Sequence, residues 1–326
     1  MGMRVWTTTT TLVWGLVLYL CVKDLLFYIG VPGDPNSMWY PGGCVRVGAD
    51  SAVNTIKLFM QDPVGKHLFL GISHFLVYWL GMYRWPFVTP NVISVAHLGV
   101  ACLAAYHISR SPPTGLVHNG SYHRVLAGLL YGLRSCLDVT DGVVFRFQEN
   151  TIRLFRSGWG TSGFFVDAIC DVAGSTIFYL GIVWYFQRNP WEAHDGLADS
   201  RRPALPKWQR WRILVSVYVQ VCIRSALWDA NLHRYTELLE PSNGRHGCGI
   251  TTPVMKTVTA RFLLWMWSIS SGDHFLTLAI AAILFNRLWG FLRFSHRWGW
   301  YQLGALALLT SVHYVYVVKA VNGRDG

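Results

Sequence analysis

Apolar residues recur along this chain in blocks close to membrane-spanning length, separated by polar stretches rich in proline, glycine and arginine. The first block, Leu12 to Ile29, is interrupted by Lys23-Asp24; no small-residue cleavage site follows it, so it predicts a retained N-terminal anchor. Gly30 to Lys66 is polar and carries turn chemistry in Val31-Pro32-Gly33-Asp34-Pro35-Asn36 and Pro41-Gly42-Gly43. His67 to Tyr83 is apolar but short, with Ser73 and His74 inside it, and predicts a segment that either lies in the interface or crosses the membrane. Clearer spans follow at Val92–Ile108, Val125–Asp138, Phe164–Phe186, Trp211–Trp228, Phe275–Leu292 and Trp300–Val318. Several need extra residues at their ends to reach the ~20 that a bilayer requires. Ala260 to Ile269 is a further apolar stretch. Met255 to Arg293 is too long for one straight crossing, so a break is expected at Ser270-Ser271-Gly272. The pattern predicts an all-α, polytopic membrane protein of six core spans plus the anchor.

Composition agrees. Of 326 residues 52% are hydrophobic and only 14% charged, against roughly 25% in soluble domains. Disorder, collagen and coiled coil are excluded, and a soluble enzyme nearly so. The 16 Trp, 15 Tyr and 17 Phe suit interfacial aromatic belts. The net charge of +11 would suggest nucleic acid in a soluble chain, but here the arginines flank apolar spans and meet lipid headgroups, so no nucleic-acid partner is expected. The seven cysteines show no CxxC and no metal-ligand spacing. Cys44 and Cys248, in glycine-rich loops, could pair if those loops share an oxidising lumen.

Four carboxylates stand out. Asp138 and Asp141 close one apolar span, and Asp167 and Asp171 open the next. Each costs about 2.5–3.5 kcal/mol within a membrane helix, so four together need a reason. Spacings of three and four put each pair on one helix face, and consecutive helices can bring the faces together. Oxygen ligands without histidine or cysteine favour Mg2+, Mn2+ or Ca2+ over zinc; two such ions would neutralise four charges and leave positions open for phosphate oxygens. The alternatives are pairing with arginines such as Arg134 and Arg146, or an ion pathway of a cation transporter. Gly142 removes a side chain beside the acids, and Arg146, one turn on, could hold a phosphate. His97 and His107 are expected to be core polar groups rather than ligands.

The pattern Asp138-x2-Asp141-Gly142-x3-Arg146 … Gly163-x3-Asp167-x3-Asp171 resembles the signature of the CDP-alcohol phosphotransferase superfamily. Thr89-Pro90-Asn91 resembles the motif that family places before its first core span. Phe145 stands where the family usually has alanine, and Arg146 and Gly163 are separated by 16 residues, about twice the usual gap. The resemblance implies a six-helix core and two Mn2+ or Mg2+ ions held by Asp138, Asp141, Asp167 and Asp171. It implies that Asn91, Gly142, Arg146 and Gly163 place the CDP moiety, that Asp171 is the general base, and that the protein is a homodimer.

The upstream anchor and loop, Phe87 to His97, and Gly163-Phe164-Phe165-Val166-Asp167 look like ceramide phosphoethanolamine synthases of invertebrates. That resemblance implies transfer of phosphoethanolamine from CDP-ethanolamine to ceramide, with Mn2+, on the lumenal face of the Golgi membrane. The rival within the superfamily is an ethanolamine or choline phosphotransferase acting on diacylglycerol from the cytosol. Loops opposite the acids (109–124, 188–212, 293–297) carry 10 Lys/Arg in 46 residues, and those beside the acids (147–162, 231–256) carry 5 in 42. The positive-inside rule then puts the acids in the lumen. It leaves Asn119-Gly120-Ser121, the one glycosylation sequon, cytosolic and unused. Asp273-His274, just after the expected break, either orient the ceramide or are a helix start and an interfacial histidine. The division expected is residues 1–30 as anchor, 31–85 as lumenal loop with an interfacial or membrane segment, and 86–320 as the transmembrane domain.

Overall fold

A computed structural model of the chain describes residues 19–20, 22–24, 56–112, 120–148, 160–188, 206–239, 257–285 and 287–322, and among these all regular structure is helical. Cys44, Cys248, Asn119 and most of the expected anchor lie outside the described residues. A short helix α1 (Ile56–Met60) precedes Asp62-Pro63, where the Asp62 carboxylate accepts the backbone N–H groups of Val64 (3.0 Å) and Gly65 (2.9 Å). Aspartate as cap with proline next is a strong helix start. The helix it opens, α2, runs through Gly65–Phe69, Leu70–His74 and Phe75–Trp79, π-wound in its first and last parts, and ends at Gly81, whose φ of 65° suits glycine. Ser73, buried on α2, meets Thr140 at 2.8 Å.

The bundle follows as α3 (Pro90–Arg110), α4 (Gly120–Gln148), α5 (Ser162–Arg188), α6 (Lys207–Leu239), α7 (Val258–Ser270), α8 (Gly272–Leu284) and α9 (Leu288–Asn322). Among the described residues α3, α5, α6 and α9 are long and apolar enough to cross a membrane, and α7 with α8 forms a bent pair that could be a fifth span. α4 has the length, but Arg134, Asp138 and Asp141 on one stretch keep it out of that set.

Two expectations about boundaries are corrected. The span ending at Asp138 is the middle of α4, which continues as helix through Gly142 to Gln148. A single glycine costs about 1 kcal/mol in a helix interior, which the packing of Val143 and Val144 (1% and 0% exposed) offsets. The block Phe275–Leu292 is divided at residues 285–287, and Trp300–Val318 is not a separate span, since one helix runs from Leu288 to Asn322. Arg293 to Arg297 are therefore helical, not a loop.

The break expected at Ser270-Ser271-Gly272 is present as a 49° bend. Ser271 caps α8, its hydroxyl accepting from the His274 N–H at 3.1 Å. Buried Arg224 of α6 donates to the Ser270 carbonyl (3.1 Å), the Gly299 carbonyl (3.3 Å) and Gln302 Oε1 (3.0 Å). It thus places a positive charge at the carbonyl end of α7, the negative end of its dipole. Gly272 lies against Ser225, whose hydroxyl would have to turn away from an added Cβ.

The main core joins α3, α4, α5, α6, α8 and the start of α9 around Tyr131, Phe178 and Phe186, all fully buried. A second core gathers α1, α7 and the far ends of α6 and α9 around Trp267; a third binds α1 and α2 to the start of α3 and the end of α4. α3 and α5 approach closely because Gly174 faces Ala101 and Gly181 faces Ala105, where an added Cβ would sit 2.8 Å from the Ala105 carbonyl. At the N-terminal side, buried Asp24 accepts from Lys66 Nζ at 2.7 Å and lies 3.0 Å from His67 Nε2, tying residues 22–24 to α2.

Candidate active site

The site lies where α3 begins, α4 passes and α5 begins. Thr89 caps α3 by accepting the Val92 N–H at 3.3 Å, with Pro90 as the first helical residue. This start puts Asn91, Ser94 and His97 at three-residue spacing along one side of α3. Asn91 is exposed, whereas Ser94 and His97 are buried (1% and 0%). On α4 the same logic lines up Arg134, Asp138 and Asp141, and on α5 Asp167 and Asp171, four apart.

His97, Asp138, Asp167 and Asp171 each turn one donor atom into a common space, all within 4.8 Å of one another. His97 Nε2 is 3.9 Å from Asp167 Oδ1 and 3.9 Å from Asp171 Oδ1. Arg134 Nη2 bonds Asp171 Oδ1, and its Nη1 is 3.8 Å from Asp138 Oδ2. His97 and Arg134 form a closed floor, while the side chains of Asp167 and Asp171 are about a third open to the outside (37% and 36%). Both ring nitrogens of His97 and Asp167 Oδ1 are buried without a hydrogen-bond partner. Orphaned donors around three carboxylates fit a hard divalent cation, for which one imidazole among oxygens is an acceptable ligand.

Asp141 stands beside this set, with Oδ2 accepting the Ser94 hydroxyl at 2.7 Å and the like charges of Asp167 and Asp138 acting on it. Three of the four acids expected to meet therefore converge, with Asp141 beside them; His97, expected as a core polar group, joins them as a fourth group that could hold a metal, and Arg134 as a counter-charge. The pairing with arginine that stood as an alternative occurs at Asp171, in the same place as the convergence of acids.

Arg146 is buried, and its guanidinium folds back over Gly142, where a Cβ would sit 3.4 Å from Nη1. Gly163 and Asn91 are neighbours: a Cβ on Gly163 would be 3.7 Å from Asn91 Oδ1. α5 starts there because Thr161 accepts the Phe164 N–H at 3.2 Å, after Gly160 at φ 81°. Asp273 and His274 are consecutive on α8. Asp273 stands in the field of Asp138, Arg134, Asp167 and Lys57, His274 in that of Asp24 and Arg224, and both act on Asp62 at the start of α2. Asp273 therefore reaches the acid cluster as well as the start of α2.

Lys57 on α1 and Asp229 on α6 are additions that no sequence motif marked. Lys57 stands in the field of Arg146, Asp167, Asp138 and Asp229; burial, with repulsion from Arg146, holds its ammonium below the ordinary lysine range. Ser94 and His97 did leave a trace in the sequence: with Asn91 they make a polar stripe on an otherwise apolar helix.

Fold and site together define a multi-pass helical membrane protein with an acid-and-histidine cluster suited to a divalent cation. The chain belongs to the ceramide phosphoethanolamine synthase family, whose profile matches residues 49–322, a range that includes α1 and α2 as well as the bundle. A curated relative, the ceramide phosphoethanolamine synthase of Drosophila melanogaster, is 31% identical over 274 residues, covering 79% of this chain and 67% of that protein. No solved structure matches the chain.

Proposed function

We propose that this membrane transferase moves phosphoethanolamine from CDP-ethanolamine to the primary hydroxyl of ceramide, giving ceramide phosphoethanolamine and CMP. The observation that carries the reading is the convergence of His97, Asp138, Asp167 and Asp171 within 4.8 Å, beside buried Arg146. These side chains would hold a divalent cation, Mn2+ or Mg2+, which would neutralise charge on the diphosphate; the four aspartates carry enough charge for two ions. Arg146, pressed over Gly142, and the Asn91–Gly163 pair bind the CDP moiety. Lys57 adds a positive charge in the field of Arg146 and the acids.

In the reaction the acceptor hydroxyl gives its proton to Asp171 as its oxygen attacks the β-phosphorus. The bond from that phosphorus to the bridging oxygen breaks, and CMP leaves with the electron pair. Arg134 orients Asp171, and the buried His97–Arg134 floor excludes water from below. Holding the acceptor oxygen in line supplies much of the rate. Asp273, which reaches the acid cluster from α8, orients the acceptor lipid. The charge of the connecting segments supports a lumenal site, and the family resemblance supports a homodimer in the Golgi membrane.

The test is a transferase assay on purified protein with Mn2+, crossing CDP-ethanolamine and CDP-choline against ceramide and diacylglycerol. Product from CDP-ethanolamine with ceramide alone is expected. Asp167→Ala should reduce it by more than about a hundredfold, beyond what outer partners of a metal site cost. Asp171→Asn should abolish turnover; full turnover in that variant would remove the base. Product from diacylglycerol would overturn the acceptor.

A further inference from the structure

A cavity of about 660 Å³ opens between the starts of α6 and α9. Its lining includes Arg212, Arg293, Arg297 and His296, with Gln209, and among the described residues no carboxylate. It is remote from the acid cluster: Asp229, the nearest site residue on α6, lies 16 residues beyond the lining residue Ile213, about 24 Å along the helix.

The guanidiniums of Arg212 and Arg297 face one hollow, and an anion sharing it would offset their repulsion. His296 carries a buried Nδ1 with no hydrogen-bond partner, and the charge of Arg212 acts on that ring. Arginine is the side chain whose fork matches phosphate oxygens. The rim says where the phosphate comes from. Phe294, Trp298 and Tyr301 line the cavity and are 64%, 55% and 72% exposed, a collar of the kind found at headgroup depth. Trp300 is fixed in the wall, its indole N–H donating to Ser216 at 2.8 Å. The volume falls in the range of sites for small molecules and far exceeds a bare phosphate. We propose that this cavity binds the phosphate headgroup of an anionic phospholipid, in the leaflet opposite the acid cluster, with Arg212 and Arg297 as its principal contacts and the aromatic rim against the acyl chains.

The experiment uses the full chain in detergent, equilibrated with mixed micelles of phosphatidylcholine alone or with phosphatidylserine, phosphatidic acid or phosphatidylinositol, and counts retained lipid by native mass spectrometry. Preferential retention of the anionic lipids is expected, unaffected by excess inorganic phosphate or glycerol phosphate. Retention should fall on the order of tenfold in Arg212→Gln/Arg297→Gln, for the loss of two charge-assisted contacts. Equal retention of phosphatidylcholine and anionic lipid by the unaltered protein overturns the proposal, whatever the variant does. So does unchanged retention in a variant that keeps the parent's melting temperature without lipid. Displacement of the lipid by free phosphate or glycerol phosphate would make the site one for soluble phosphates and overturn the lipid.

Discussion

His97 is 0% exposed and surrounded by carboxylates, with neither ring nitrogen hydrogen-bonded. A merely structural histidine in such a place would have found a partner. His97→Gln should therefore raise the Mn2+ concentration needed for half-maximal activity by about 10–100-fold, and weaken Mn2+ binding followed by paramagnetic resonance equally. An unchanged Mn2+ requirement would return His97 to the core. Asp62 shows a different tension, between cap and burial. Burial, reinforced by Asp273, lifts its carboxyl above the ordinary 3.8, although two backbone N–H groups pull the other way. With the folded value above the unfolded one, the native state holds the proton more tightly, so this group's contribution to stability is full below 3.8 and is lost as pH rises through the raised value. Asp62→Asn keeps an equally good cap and removes that loss. Melting curves across pH should show the variant more stable than the parent near neutrality, and the difference should close as pH falls toward 3.8.

At the scale of elements, the packing of α3 on α5 is set by backbone proximity rather than by large side chains. Gly181→Ala would force a methyl to 2.8 Å from the Ala105 carbonyl and 2.9 Å from its Cα, neither of which can swing away. Overpacking of this kind costs roughly 1–3 kcal/mol. Because α3 and α5 carry His97, Asp167 and Asp171, the loss should appear both as a lower melting temperature and as weaker Mn2+ activation. The acids were legible in the sequence because periodicity acts within a helix and α4 and α5 are consecutive. His97 precedes Asp138 by 41 residues, and its facing depends on how α3 rolls against its neighbours, which spacing does not encode. Lys57 lies further off, on a five-residue helix with no pattern of its own. The missed junction at residues 285–287 has a simpler cause. Arg293 and Arg297 look like a polar loop in a hydropathy profile, yet on a continuous helix they are an interfacial face beside Phe294 and Trp298.

At the scale of the molecule, the bundle is less separable from what precedes it than its hydropathy suggests. α1 and α2 contribute side chains to two of the three cores, and α1 also brings Lys57 to the acids. The first apolar block contributes more than hydrophobicity. Asp24, 0% exposed, is a counter-ion shared by Lys66 and His67 of α2. Removing one partner of a buried pair costs about 3–5 kcal/mol, whereas exchanging the whole pair for apolar groups can be neutral. Asp24→Ala should therefore lower the melting temperature well below that of the double variant Asp24→Leu/Lys66→Met. A version of the protein trimmed to begin after residue 30 would carry two ammonium-bearing or protonatable side chains into a nonpolar packing environment stripped of its balancing anion. Anyone shortening this chain for purification would be discarding an electrostatic keystone while believing that only a tether had been removed.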